Sequence, residues 1–120
     1  MANILIVDDS ASMRQMVTFT LKTAGHAIDD AADGVVALEK AKSKVYELII
    51  SDVNMPNMDG IGLVKALREE ESYKFTPILL LTTESAPEKK KEGKEAGATG
   101  WIVKPFSPDQ LLNTIKKVLG

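Results

Sequence analysis

Five polar side chains follow short apolar runs in this sequence, and their types could do chemistry together. They are three carboxylates, a hydroxyl and an ammonium: Asp8, Asp9, Asp52, Thr82 and Lys104. The apolar runs cover residues 4–7, 48–51, 78–81 and 101–103. Parallel strands of one sheet end at a common edge, and open α/β sheets bind ligands in the crevice outside that edge. The sequence therefore predicts one acidic site.

Three carboxylates at adjacent strand ends need a cation. Two unit charges 4 Å apart repel by about 4 kcal/mol at an effective dielectric constant of about 20. Mg²⁺ fits, because it is usually held by one or two carboxylates with water and phosphate oxygens around it. Zinc and copper are poor candidates, since the chain has no cysteine and a single histidine. We therefore expect a Mg²⁺ site.

A carboxylate beside Mg²⁺ can also attack phosphorus and form an aspartyl phosphate. Asp8 and Asp9 follow one strand directly, and we assign them to the metal. Asp52 ends another strand alone, and we assign it as the nucleophile. Lys104 would offset the charge of the transferred group, and the Thr82 hydroxyl would donate to a second phosphoryl oxygen.

Each of these residue types also has a simpler interpretation. An isolated aspartate before a helix is commonly an N-cap, a lysine before a turn is commonly solvated, and threonine suits a strand end. The occurrence of all five residues in register at strand ends favours a common site.

The elements that must position these residues alternate between strand and helix patterns, which is typical of βαβ units on a mostly parallel sheet. A further strand should cover residues 26–30, and the strand that ends at Asp52 should begin at Tyr46. We expect five helices: one from Ser10 or Ser12 to Gly25, one around 35–42, one from Ile61, one from a capping box at 85–88 to Gly97, and one from a capping box at 107–110 to Leu119.

Composition limits the class of protein. At 120 residues, 44% hydrophobic and 27% charged, the chain has the profile of one soluble globular domain over residues 1–120. The absence of cysteine excludes disulfides and thiolate chemistry. A formal net charge of −2 argues against general nucleic-acid binding. No apolar stretch approaches the ~20 residues that span a bilayer, and no signal peptide is evident, so we expect a cytoplasmic monomer without membrane contact.

Four segments, at 6–9, 51–60, 81–83 and 97–106, follow the order and spacing of a known family. With them the whole chain resembles the receiver domains of two-component signalling, and in particular the CheY-like single-domain response regulators. The resemblance implies a flavodoxin-like α/β fold. Its five-stranded parallel sheet would have the order 2-1-3-4-5 associated with this family, flanked by five helices.

The resemblance also implies a role for each carboxylate. It makes Asp52 the phosphate acceptor and, together with Asp9, a direct Mg²⁺ ligand. Asp8 would act on the metal mainly through water, and Asn54 would add its backbone carbonyl. Asn54 and Glu84 resemble a pair found in fast-cycling chemotaxis regulators, and imply self-catalysed dephosphorylation.

The remaining site residues are implied to bind phosphate and to switch. Thr82 and Lys104 would bind the phosphoryl group, and the Lys104–Pro105 peptide bond is expected to be cis. Thr82 would then move towards that group while an aromatic residue on the last strand, here Trp101, turns inward. Tyrosine or phenylalanine is commoner there, and a larger indole is expected to populate the buried rotamer less readily. Trp101 could also be an aromatic packed on the flank of the sheet.

By this resemblance the protein is a chemotaxis-type response regulator, a signalling switch rather than an enzyme. A sensor histidine kinase would phosphorylate Asp52. The surface of the fourth helix, fifth strand and fifth helix would then change to bind a partner such as the flagellar motor switch. The lysines at 89–91, with Lys94, are either part of that surface or a solvated helix face.

Other functions remain open for the same residues. A receiver of this kind could be a phosphate sink or a relay component that does not act on the motor. A small Mg²⁺-dependent phosphatase could use Asp52 on external phosphoesters, but it would need a general acid and a substrate pocket. A flavodoxin would place the FMN phosphate after the first strand, where Asp8 and Asp9 would repel it.

Overall fold

Parallel strands form the centre of the fold, as the alternating pattern predicts. The computed structural model describes residues 2–83 and 87–119. Its strands are β1 (Asn3–Val7), β2 (Ala27–Ala31), β3 (Leu48–Asp52), β4 (Ile78–Thr82) and β5 (Gly100–Val103). Within the described residues they form one sheet of five strands, paired in parallel in the order β2-β1-β3-β4-β5. The predicted fold class and strand order are confirmed.

Two layers of helices cover the sheet. The helices in the described ranges are α1 (Ala11–Thr23), α2 (Gly34–Ser43), α3 (Gly60–Glu69), α4 (Pro87–Ala96) and α5 (Pro108–Leu119), with a short 3-10 helix at Glu71–Tyr73. Residues of α1 and α5 pack on one face of the sheet, and residues of α2, α3 and α4 pack on the other. No helix in these ranges is long and apolar enough to cross a membrane.

Burial on both faces explains the composition of the central strands. Leu5 and Val7 of β1 pack with one helix layer, Ile4 and Ile6 pack with the other, and all four side chains are fully buried. A parallel strand that is covered on both faces is a continuous apolar run. The apolar runs therefore end at the carboxyl edge of the sheet, where polar residues begin.

Side-chain hydrogen bonds at helix starts decide two of the predictions. Ser10 is the N-cap of α1 and accepts the N–H of Met13, which decides between the two predicted starts. The capping box predicted for α5 is present. The Ser107 hydroxyl accepts the Gln110 N–H at 3.1 Å, and Gln110 Oε1 accepts the Ser107 N–H at 2.9 Å. The other predicted capping box depends on Ser85, which lies outside the described residues.

Two strands begin later than predicted, because their expected first residues bond elsewhere. After Gly25, at φ 95°, the N–H of His26 donates to the carbonyl of Leu21 and closes the end of α1, so β2 begins one residue later. The N–H of Tyr46 donates to the hydroxyl of Tyr73 at 3.2 Å, so β3 begins after it.

Candidate functional site

The carboxyl edge of the sheet carries the predicted acidic cluster. Asp8 follows β1 directly, and Asp52 is the last residue of the neighbouring strand β3. One carboxylate oxygen from each of Asp8, Asp9 and Asp52 lies within 4.8 Å of the others. The structure thus brings together the three carboxylates that the strand ends predict.

The carboxylate of Asp8 is buried and held from two sides. The residue is 1% exposed, and its Oδ1 accepts the N–H of Ser10 at 2.9 Å. Its Oδ2 accepts a hydrogen bond from Lys104 Nζ at 3.2 Å. Its backbone carbonyl accepts a further bond from Arg14 Nη1 at 2.7 Å. These contacts fix the position of Asp8 within the cluster.

The carboxylate of Asp52 is held through one oxygen. Its Oδ1 accepts the N–H of Val53 at 3.0 Å and lies 3.3 Å from Lys104 Nζ. Both of these contacts use Oδ1. The residue is 8% exposed, and this burial raises the pKa of its carboxyl above the ordinary value; Lys104 opposes that rise and Asp8 adds to it.

Lys104 and Thr82 lie at the adjoining strand ends. The Lys104 N–H donates to the Thr82 carbonyl at 2.7 Å, which ties the end of β5 to the end of β4. Thr82 is 1% exposed, and the preceding residue on β4 pairs with Asp52 in the sheet register. The Lys104–Pro105 peptide bond is cis, as predicted.

The cluster contains more negative charge than the chain neutralises. Among the described residues, Lys104 is the one cation within ion-pair distance of these carboxylates, and it pairs with Asp8 and Asp52, while Asp9 is exposed to solvent. Grouped carboxylate oxygens are the donors that Mg²⁺ prefers, with water completing its coordination. The residues present therefore fit a Mg²⁺ ion.

Trp101 lies on the edge strand β5, two strands from β3, which carries Asp52. It is half-buried on β5, pairs with Leu80 of β4 in the sheet register, and packs against the core on the α2-α3-α4 side of the sheet. Its ring lies beneath Lys90 of α4, with Nζ 5.0 Å from the ring centroid. The structure places this aromatic on the face predicted for signalling output.

Comparison with known families gives one assignment for nearly the whole chain. Residues 4–116 match the model of the response regulator receiver domain. The chain belongs to this family. A receiver domain is a signalling switch rather than a classical enzyme, and the family implies interaction with a histidine kinase and with a downstream target.

Several relatives of this receiver domain are chemotaxis proteins. Chemotaxis protein CheY-3 of Vibrio cholerae is 39% identical over 116 residues, which are 96% of this chain and 89% of that protein. The solved structure of the Vibrio cholerae chemotaxis protein CheY4 is 59% identical, with a TM-score of 0.96 over 98% of both chains. The chain is thus homologous to CheY-like single-domain response regulators.

A more distant solved receiver domain contains the metal that the acidic cluster fits. It belongs to the sensor histidine kinase PA1611 of Pseudomonas aeruginosa and has a magnesium ion coordinated in its active-site cleft. It is 25% identical, with a TM-score of 0.93 over 99% of this chain and 98% of that one. Binding of Mg²⁺ at the acidic site is a property of receiver domains.

The loop after β3 also depends on a glycine, Gly60, to which the sequence analysis assigns no separate role. The N–H of Gly60 donates to the Val53 carbonyl at 2.9 Å, which folds the loop after β3 back onto the strand. A Cβ at Gly60 would overlap the carbonyl oxygen of Asp52 and lie 3.0 Å from Cα of Val53. The signal in the sequence was a glycine placed between the N-cap Asp59 and an apolar helix face.

The partners of Arg14 could not be predicted from the sequence, and the predicted pairing of Asn54 with Glu84 stays a prediction. Arg14 bonds the backbone of Asp8 and also forms an ion pair with Asp30 at 3.2 Å, a pairing between distant segments that spacing does not predict. Asn54 is exposed on the loop after β3. Glu84, its predicted counterpart, lies outside the described residues.

Proposed function

We propose that this receiver domain accepts a phosphoryl group on Asp52 from the phosphohistidine of a sensor kinase. The observation that carries the proposal is the state of this carboxylate. It is almost buried, its Oδ1 is held by Val53 and Lys104, and it lies within the carboxylate cluster at the end of the sheet. A nucleophile that is fixed in this way loses little freedom on reaching phosphorus.

In the transfer, Oδ2 of Asp52 supplies the electron pair for a new O–P bond. The N–P bond of the phosphohistidine breaks, and its electron pair stays on the imidazole, which takes a proton from water. Lys104 already lies 3.3 Å from the carboxylate, so its ammonium can follow the negative charge onto the phosphoryl oxygens. Thr82 can donate its hydroxyl to another of these oxygens.

Asp9 and Asp52 would hold Mg²⁺ directly, Asp8 would hold it through water, and Asn54 would add its backbone carbonyl. When bound, the metal offsets the charge of the transferred phosphoryl group. The clustering of the three carboxylates within 4.8 Å and the excess of negative charge support this assignment.

The output follows from movement of Thr82 towards the phosphoryl group and of Trp101 inward behind it. The surface of α4, β5 and α5 then binds a partner, for which the chemotaxis relatives make the flagellar motor switch the first candidate. The regulator would act as a cytoplasmic monomer, without nucleic acid or membrane, and would lose its phosphoryl group by self-catalysed hydrolysis. A sink or a relay would share the chemistry but not the motor partner.

The decisive experiment is intact mass before and after treatment with acetyl phosphate, with and without Mg²⁺. Wild type should gain the mass of one alkali-labile phosphoryl group with Mg²⁺ only. Asp52→Asn should gain none, while Asp109→Asn, which removes an exposed carboxylate of α5, should behave as wild type. An adduct that persists in Asp52→Asn would refute the acceptor assignment.

A second measurement separates the motor regulator from the other receivers. Wild type treated with beryllium fluoride and Mg²⁺, and Asp52→Asn treated in the same way, are passed over immobilised motor switch protein. A motor regulator is retained as wild type and not as Asp52→Asn. Equal retention of the two would exclude phosphorylation-controlled motor binding. Multiple turnover of a generic phosphoester would instead indicate a phosphatase.

A further inference from the structure

Trp101 contacts α4 at two residues, one with a positive charge and one with no side chain. The Lys90 ammonium lies 5.0 Å from the centre of the indole ring. One turn further along the helix, Gly93 has no side chain, and a Cβ there would lie 3.6 Å from Cζ3 of Trp101 and 3.0 Å from Cδ1 of Leu80. Residues three apart on a helix share a face, so Lys90 and Gly93 both meet the ring.

We propose that Lys90 and Gly93 are positioning residues for Trp101. Gly93 leaves α4 without a side chain where it lies over the sheet; a Cβ there would be in ordinary contact with the indole and would crowd Leu80. Lys90 holds the ring in its half-buried position beside α4 by attraction between the ammonium and the face of the indole. This inference rests on the proposed function, in which Trp101 is the aromatic that moves on phosphorylation.

The strand register connects this cradle to the phosphoryl site. Trp101 pairs with Leu80 on β4, and Thr82 follows Leu80 by two residues and therefore lies on the same face of the sheet. The indole thus lies between α4 and the strand that ends at Thr82. A cavity of about 300 Å³, lined by Lys90, Lys94, Ala98, Thr99, Gly100 and Trp101, borders the ring on its outer side.

In the proposed switch, Trp101 turns inward and its ring leaves the position beneath Lys90. The cost is the cation–π attraction, which at an exposed site corresponds to about a two- to fivefold change in an equilibrium constant. Lys90 therefore biases the unphosphorylated protein against the active position. A ligand that binds only the active conformation should therefore bind with lower apparent affinity, because the apparent affinity is proportional to the fraction of protein in that conformation.

Trp101 is the only tryptophan in the chain, so intrinsic fluorescence reports on this residue alone. The experiment titrates beryllium fluoride in the presence of Mg²⁺ and follows the emission of wild type, Lys90→Gln and Lys94→Gln. Lys94 borders the same cavity and has the same charge, but the contact over the ring belongs to Lys90. Lys90→Gln should reach half-saturation at about two- to fivefold lower beryllium fluoride. Lys94→Gln should match wild type.

Conservative variants test each half of the proposal. Lys90→Arg keeps a cation over the ring and should restore the wild-type midpoint. Gly93→Ala improves helix propensity and should fold, but its methyl group should change the Trp101 emission before any ligand is added. Unchanged emission in Gly93→Ala would overturn the role of Gly93. Equal midpoints for Lys90→Gln and Lys94→Gln would overturn the role of Lys90.

The proposed function and the positioning role of Lys90 can be tested separately. Intact mass after acetyl phosphate establishes whether each variant accepts a phosphoryl group. If wild type accepts none, the proposed function fails. If all variants accept it equally and titrate alike, the function stands and the positioning role of Lys90 is wrong.

Discussion

Two partly buried charge centres in this molecule have different kinds of partner. At the carboxyl edge of the sheet, Asp8 and Asp52 share the single ammonium of Lys104. On α3, the Arg68 guanidinium donates instead to three backbone carbonyls. It bonds Gly97 at 2.8 and 3.0 Å, Tyr73 at 2.6 Å and Thr76 at 2.7 Å.

This difference indicates which centre is open to a ligand. The carbonyl partners of Arg68 occupy all three of its nitrogens and join α3 to the end of α4 and to the segment before β4. Burial lowers the pKa of Arg68, and burial raises the pKa of Asp52, where Asp8 also contributes. A charge that its own chain satisfies is structural, whereas an excess of buried like charge attracts a counter-ion.

The largest expected effect on folding is at Arg68. Arg68→Met leaves three carbonyls without their donor. Because these bonds are only partly buried, water can replace part of them, and we expect the free energy of unfolding to fall by about 2–4 kcal/mol, less than the sum of separate charged hydrogen bonds. Urea unfolding measures it, with the exposed Lys65→Met on the same helix as the control. Phosphoryl acceptance by the folded variant should be retained. Loss of acceptance without loss of stability would instead place Arg68 in the functional site.

An intermediate effect of opposite sign is expected at Asp52. Asp52→Asn removes a buried carboxylate repelled by Asp8 and leaves the Lys104–Asp8 pair in place, so without metal it should raise the free energy of unfolding by about 1 kcal/mol. Added Mg²⁺ should stabilise wild type, because a ligand that binds the native state stabilises that state. The difference in free energy of unfolding between Asp52→Asn and wild type should then become smaller. Urea unfolding in EDTA and in Mg²⁺ measures both. A variant less stable than wild type in EDTA would show that the cluster is not repulsive.

The smallest expected effect is at Asp29, a carboxylate that has its own partners. It accepts hydrogen bonds from the Tyr46 hydroxyl at 2.7 Å and from Lys44 Nζ at 3.1 Å, and these lower its pKa from 3.8. Because Asp29 is partly exposed, solvent screening limits its contribution to less than about 1 kcal/mol. A lowered folded-state pKa gives a contribution that is complete above pH 3.8 and disappears as the pH falls through the lowered value.

Unfolding of wild type and Asp29→Asn at pH 7 and at pH 3 checks this contribution, with Glu39→Gln as the exposed control. The stability difference should be present at pH 7 and smaller at pH 3. A difference that grows towards acid would mean that Asp29 resembles Asp52 rather than a satisfied carboxylate.

The sequence-based expectations succeed where the geometry of the sheet determines position. The proximity of Asp8, Asp52 and Lys104 could be predicted, because the carboxyl ends of buried parallel strands meet at one edge of the sheet. The capping box at Ser107 and Gln110 could also be predicted, because its hydrogen bonds are local in sequence.

The contacts that could not be predicted from the sequence depend on the paths of loops. Arg68 looks like a solvated helix residue until the segments holding Tyr73 and Gly97 are folded around it. Tyr46 fits a strand pattern, but its N–H is taken by the Tyr73 hydroxyl from a later turn. The contact between Lys90 and Trp101 depends on how closely α4 approaches β5, which no local pattern specifies.

The ion pair between Lys104 and Asp8 spans 96 residues of sequence. During synthesis, β1 and its aspartates leave the ribosome long before the residue that neutralises them. A partly made chain therefore has the carboxylates but not their ammonium, and closing so long a loop is a late event in folding. The acidic site is then complete only when the last strand joins the sheet, so the chain acquires its full set of site side chains near the end of its synthesis.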